Sequence, residues 1–99
     1  MTELEQLQAS AGQAATLLKA MSNPRRLLIL CTLCGAPGTS AGELARATGL
    51  SPSATSQHLA RMREEGLIAS TREAQRILYF IKNDAVHQLI STLKTLYCP

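Results

Sequence analysis

Three cysteines and one polar helical face hold most of the chemistry open to this chain. Cys31 and Cys34 stand three apart in Leu-Cys-Thr-Leu-Cys-Gly, and Cys98 lies in Tyr-Cys-Pro. Thiols can form disulfides or hold soft ions. A Cys-x-x-Cys invites comparison with thiol oxidoreductases, but those sites draw reactivity from a helix N-terminus inside a βαβ unit. Here the pair falls near the end of an apolar helix. Neighbours three apart on a helix have Cβ atoms about 5–6 Å apart, whereas a disulfide wants roughly 3.5–4.5 Å, so closing the pair would strain the helix. Cys34 therefore reads as a small thiol filling a core. No Ser/His/Asp or Cys/His constellation with catalytic context is visible, and the chain is not expected to be an enzyme.

The second set is Ser53, Ser56, Gln57, His58 and Arg61. Rotation by about 100° per residue puts Thr55, Leu59 and Met62 on one side of a helix and Ser53, Ser56, Gln57 and Arg61 on the other, with His58 at the edge. The first side packs. The second carries hydroxyls, an amide and a guanidinium, groups able to reach base edges and phosphates in a major groove.

The elements around this helix are those needed to present it. Ser40 and Glu43 form a Ser-x-x-Glu capping box that starts a short helix, and Gly49 closes it. Ser51 then caps the second helix with Pro52 in its first turn, and Gly66 ends it. Strands over Ile68–Thr71 and Gln75–Ile81 follow, with a tip from Arg72 to Arg76. Two helices, a tight turn and a hairpin make a winged helix-turn-helix, in which Arg72 and Arg76 on the wing are candidates for backbone or minor-groove contact.

Upstream, Leu4, Leu7, Ala11, Ala14, Leu18 and Met21 recur at three- and four-residue intervals in an amphipathic helix that Asn23-Pro24 breaks. Arg25 to about Cys34 is apolar nearly all round and is expected to be the central buried helix. Asn83 caps a last helix carrying Val86, Leu89, Ile90, Leu93 and Leu96. The expected fold is mainly α with a small β-hairpin wing, ordered α-α-α-α-β-β-α, as one domain over residues 1–99. The first and last helices each keep an apolar face beyond what so small a core can cover. A twofold homodimer through them would set two reading helices about one DNA turn apart.

Composition agrees. The chain has 99 residues, 45% of them hydrophobic, with formal net charge +3 and a pI near 9.0. That mild basicity suits a polyanion, and it is unevenly placed: residues 1–22 carry net −1, residues 40–82 net +2, and Arg25 and Arg26 add two more charges beside the helix-turn-helix. There is no run of 18 apolar residues, and the start is acidic and polar, so neither membrane nor export is indicated and a cytoplasmic location is expected. An odd number of cysteines argues for reduced thiols.

Ser-Asn-Pro-Arg-Arg-Leu-Leu-Ile-Leu (22–30), Gly-Glu-Leu-Ala (42–45) and Ser-x-Ser-x-x-Ser-Gln-His-Leu-x-x-Met-x-x-x-Gly-Leu-Ile (51–68) resemble the ArsR/SmtB family of dimeric bacterial repressors. The placement of Cys31 and Cys98 resembles its persulfide-sensing subgroup. The resemblance implies a dimer that binds double-stranded operator DNA when reduced, and that releases it when a persulfide or polysulfide inducer links Cys31 to Cys98 through extra sulfur. Cys34 departs from the two-cysteine pattern. Each inserted sulfur lengthens such a link by up to about 2 Å, which would join thiols too distant for a disulfide.

Metal-sensing relatives carry Cys-x-Cys near the third helix, or paired ligands on the last one. Here the third helix reads SAGELARAT, and Asp84 with His87 lacks a second pair, since Lys94 and Thr95 stand in its place. No metal site or resident cofactor is expected; Asp84 reads as a first-turn acid and His87 as an exposed polar residue. The alternative inducer is arsenite or another soft ion held by Cys31, Cys34 and Cys98. Haem at Cys98-Pro99 is weaker, resting on a dipeptide, and a nonspecific architectural DNA protein would need more positive charge.

Overall fold

The computed structural model describes residues 1–98. The chain runs α1 (Glu3–Met21), α2 (Pro24–Gly35), β1 (Thr39–Ser40), α3 (Ala41–Thr48), α4 (Pro52–Glu64), β2 (Ile68–Glu73), β3 (Arg76–Ile81) and α5 (Asp84–Tyr97). This is the mainly helical winged fold with a hairpin that the sequence implies, plus one extra strand. β1 is two residues long, too short to leave a periodicity, and exists because Thr39 and Ser40 pair with Tyr79 and Leu78 of β3.

Side-chain caps fix the helix starts. Asn23 Oδ1 accepts from the N–H groups of Arg25 and Arg26, Ser51 Oγ from Ala54, and Asn83 Oδ1 from Ala85 and Val86. Thr2 caps α1 by accepting from Glu5 N–H, a cap not anticipated. Gly49, at φ 74°, and Gly66, at φ 78°, take the left-handed turns that end α3 and follow α4.

The core gathers Ile29, Leu30 and Leu33 of α2, Leu44 of α3, Leu59 and Met62 of α4, Leu67, Ile68, and Val86 and Ile90 of α5. α2 is central but not buried all round: Leu28 is 48% exposed, because none of the described residues covers that side. In α1 only the last turns dock, through Leu17, Ala20 and Met21, while Leu4, Leu7 and Leu18 stay in solvent. The rest of the helix projects, and the molecule measures 50 × 31 × 20 Å. At the far end of α5, Leu96 and Tyr97 are also exposed.

The wing is longer and more tightly turned than the sequence implies. β2 and β3 stay in register from Ile68 opposite Ile81 to Glu73 opposite Arg76, leaving Ala74 and Gln75 as the turn. Ala74 takes φ 56°, the left-handed conformation that two-residue hairpin turns require. Arg72 and Arg76 thus belong to strands. The alternation expected in β3 is blunted, because β1 flanks it on the other edge: Leu78, Tyr79, Phe80 and Ile81 are all half-buried. Among the described residues no helix is long and apolar enough to cross a membrane.

Candidate nucleic-acid interface and thiol site

Helix α4 divides as its sequence implies. Thr55, Leu59 and Met62 are buried, and the Thr55 hydroxyl donates to Ser51 C=O at 2.9 Å, so a polar side chain enters the core satisfied. Ser53, Ser56, Gln57 and Arg61 are exposed together on the outer face. None of their side chains has a hydrogen-bond partner within the described residues, so their donors and acceptors are available to a ligand. His58 is half-buried, and burial, reinforced by the charges of Arg26, Arg25 and Arg61, holds its imidazole below the usual histidine range.

The flanking arginines divide into structural and available ones. Arg26 Nη1 donates to Ala20 C=O at 2.7 Å and pairs with Glu65 at 2.8 Å, tying the end of α1 to the end of α4. Arg63 donates to Ser70 Oγ at 3.1 Å, bracing α4 on β2. Arg25 and Arg61 are exposed beside His58. On the wing, Arg72 Nε donates to Ala74 C=O across the turn, and Arg76 is paired with Glu43. Glu43 also completes the capping box, accepting from Ser40 N–H and Oγ. Those hydrogen bonds, with the cations Arg76 and Arg46 beyond them, hold its carboxyl below the usual range. The pair ties the wing to α3 across 33 positions, a contact that neither residue's local spacing encodes.

The three thiols are free and fall along the seam between α2 and α5. Cys31 and Cys34 are half-buried, and Cys98 is exposed just past the end of α5. Burial pushes the Cys31 thiol up; Lys94 partly offsets this, and the charges of Cys98 and Cys34 add to the rise. Cys98 N–H donates to Lys94 C=O at 2.8 Å, which holds Cys98 at the end of α5 that carries Lys94. Lys94 Nζ lies 3.5 Å from Cys31 C=O, donating to the C-terminal turn of α2, where basic side chains suit the helix dipole. Gly35 leaves room for it, since a Cβ there would stand 3.2 Å from Nζ.

Cys34 packs against the core, as Cys31 does, and has a polar neighbour as well. Its Sγ lies 3.7 Å from His87 Nε2 across the seam, and His87 is otherwise exposed. Asp84 accepts from Gln88 at 2.8 Å. Among the described residues, no three His, Cys, Asp or Glu side chains stand together as a metal site, so a three-thiolate site would need Cys31, Cys34 and Cys98 to draw closer. Pro99, of the Cys-Pro dipeptide, lies outside the described residues.

Comparison with known proteins gives these features a setting. The family model for bacterial regulatory proteins of the arsR family matches residues 23–70, from the cap of α2 through the helix-turn-helix into β2. The HTH-type transcriptional regulator YgaV of Escherichia coli is 77% identical over 99 residues, covering 100% of both chains. The transcriptional activator HlyU of Vibrio cholerae is 43% identical over 95 residues, 96% of this chain and 87% of that one. The crystal structure of the transcriptional repressor BigR from Xylella fastidiosa superposes with a TM-score of 0.85 at 34% identity, covering 100% of this chain and 99% of that one. These relatives are regulators of transcription, not enzymes.

Proposed function

Because this chain belongs to the arsR family of bacterial regulatory proteins, with its DNA-binding winged fold, we propose that it is a cytoplasmic homodimeric repressor released from its operator by reactive sulfur. The DNA half rests on the outer face of α4, where Ser53, Ser56, Gln57 and Arg61 are exposed without partners. Each protomer would lay that face in a major groove, with His58, Arg72 and Arg76 toward the phosphates. The dimer rests on the uncovered apolar residues of α1 and α5: Leu4, Leu7 and Leu18 on the first helix, Leu96 and Tyr97 on the last.

The observation that supports the sensor half is the seating of α5 on α2, in which Lys94 accepts from Cys98 N–H at 2.8 Å and reaches Cys31 C=O with its ammonium at 3.5 Å, so that both cysteines share one end of the seam. A small persulfide, RSSH, supplies the sulfur. Attack of a cysteine thiolate on its outer sulfur gives Cys–SSH and releases RSH, once at Cys31 and once at Cys98. The Cys31 perthiolate then attacks Sγ of the Cys98 persulfide and expels HS⁻. A link with one inserted sulfur results, and no other oxidant is consumed. Tying the central helix to the end of a dimer helix would change the angle or mobility of the two reading heads.

Operator affinity measured by anisotropy, with glutathione persulfide, peroxide and arsenite in parallel, tests this. Persulfide is expected to weaken binding by about 5–150-fold, the usual scale of a 1–3 kcal/mol coupling. Cys31→Ser and Cys98→Ser should stay bound, and Cys34→Ser should reach the same released endpoint. Gln57→Ala should reduce discrimination between operators by ~1–3 kcal/mol, whereas removing Arg72 should weaken all sequences alike and flatten the salt dependence. Release by arsenite alone, lost in Cys34→Ser, would favour the three-thiolate reading. Unchanged operator affinity in Gln57→Ala and Arg61→Ala at fixed salt would remove the assignment of the α4 face.

A further inference from the structure

The third cysteine has a partner that the other two lack. His87 Nε2 lies 3.7 Å from Cys34 Sγ, within hydrogen-bonding range for sulfur. Among the described residues no side-chain base stands in hydrogen-bond contact with the thiol of Cys31 or of Cys98. A nucleophile with a base in hydrogen-bond reach is the arrangement that activates thiols for attack. Cys34 is half-buried rather than enclosed, and His87 is exposed, so a small persulfide has access to the pair. Cys34 also sits one helical turn from Cys31 on the same helix, where residues three apart are neighbours.

We propose that Cys34 is the thiol that first accepts sulfur, with His87 as its base, and that it hands this sulfur to Cys31; the proposal rests on the persulfide-responsive reading above. In the first step the Cys34 proton passes to His87 Nε2 and Sγ attacks the outer sulfur of RSSH. The S–S bond of RSSH breaks and RS⁻ leaves, taking the proton from His87, so Cys34–SH and RSSH become Cys34–SSH and RSH. In the second step the Cys31 thiolate attacks the outer sulfur of Cys34–SSH. That S–S bond breaks, Cys34 leaves as thiolate and takes up the proton that Cys31 lost. The net change is Cys31–SSH and a regenerated Cys34–SH, with no oxidant or reductant consumed. The added sulfur lengthens the reach of Cys34 by about 2 Å, which the spacing of neighbours three apart on a helix requires. Burial raises the Cys31 thiol for either route; the relay gains because its sulfur is delivered from one helical turn away, an intramolecular attack in place of a bimolecular one. Lys94 and Cys98 are the other charged or titratable groups acting at this end of the α2–α5 seam, and both bear on Cys31.

This division of labour separates rate from endpoint. Cys34→Ser and His87→Ala should bind operator in the reduced state like the parent, and should reach the same bridged, released state. Both should reach it more slowly, by roughly tenfold or more, which is less than the ~100-fold or greater general-base effects seen with weaker nucleophiles because sulfur is intrinsically very nucleophilic. The test is a quenched time course with glutathione persulfide on the full-length protein, with mass spectrometry locating the added sulfur and anisotropy following DNA release. In the parent, sulfur should appear on Cys34 before Cys31. Free imidazole should restore the rate of His87→Ala but not of Cys34→Ser, a rescue that a merely structural role for His87 would not give. Sulfur appearing on Cys31 first, or a Cys34→Ser rate within twofold of the parent, would overturn the relay while leaving the Cys31–Cys98 switch intact. A parent protein that takes up no sulfur on any thiol would overturn both.

Discussion

Cys31 and Lys94 form the most informative pair of single residues. The thiol is pushed up chiefly by burial, and Lys94 counters this from 63 positions away, with its ammonium on the Cys31 carbonyl. A raised thiol binds its proton to higher pH, so Cys31 should alkylate with a midpoint above the ordinary 9.0. Lys94→Met should move that midpoint further up and slow sulfur transfer to Cys31 at neutral pH. The measurement is a pH series of iodoacetamide labelling in the Cys34→Ser/Cys98→Ser background, where only Cys31 reacts; an unmoved profile in Lys94→Met would remove the electrostatic role. Residues whose roles are local were legible beforehand: Asn23, Ser40, Ser51 and Asn83 each act on backbone within three positions. The pairings that shape the site join residues 33, 53 and 63 apart, as Arg76 with Glu43, Cys34 with His87, and Lys94 with Cys31. Nothing in the spacing of either partner encodes them, which is why Cys34 read as core filling.

At the scale of elements, the capping box of α3 is also the hinge plate of the wing. Ser40 belongs to β1, caps α3 and orients Glu43, and Glu43 holds Arg76 at the start of β3. One carboxylate thus joins the first helix of the helix-turn-helix to the hairpin. Its native pKa lies below the ordinary 4.5. Well above 4.5 both native and unfolded forms are ionised and the stabilisation is complete; as pH falls, the unfolded chain takes up the proton first, so stability is lost down through the native value. Ser40→Ala should lower stability by about 0.5–2 kcal/mol, as a lost N-cap does, with denaturant midpoints as the readout. Glu43→Gln should free Arg76 for phosphate and steepen the salt dependence of DNA binding by up to about one counterion. A flatter or unchanged slope in Glu43→Gln would mean that Arg76 serves the joint alone. The helix pattern of this unit could be read from periodicity and caps, but β1 could not, since a two-residue strand exists only through its partners in β3.

At the scale of the whole molecule, the apolar stripe of α1 is left uncovered by its own domain along all but its last turns. Leu17, Ala20 and Met21 dock on the core, while Leu4, Leu7 and Leu18 do not. The sequence shows the stripe but not which part of it the domain itself uses. A helix anchored only by its last turns gains a packed partner in a dimer, and the same assembly would fix the spacing of the two α4 faces. The proposed bridge and the operator then act on one quantity, the arrangement of the two reading heads. Linkage makes that action reciprocal: whatever factor the bridge takes from DNA affinity, saturating operator must take from the tendency to form the bridge. For a coupling of ~1–3 kcal/mol, the ratio of bridged to open protein in a persulfide buffer should fall by about 5–150-fold when operator is added. Mass spectrometry of protein equilibrated with glutathione persulfide, with and without operator duplex, gives this ratio, and anisotropy on the same samples gives the affinity loss. Scrambled duplex at equal concentration should leave the ratio nearly unchanged. Agreement of the two factors ties the Cys31–Cys98 bridge to the reading heads, while an operator that weakens on bridging yet leaves the bridged fraction untouched would mean that DNA release comes from another modification.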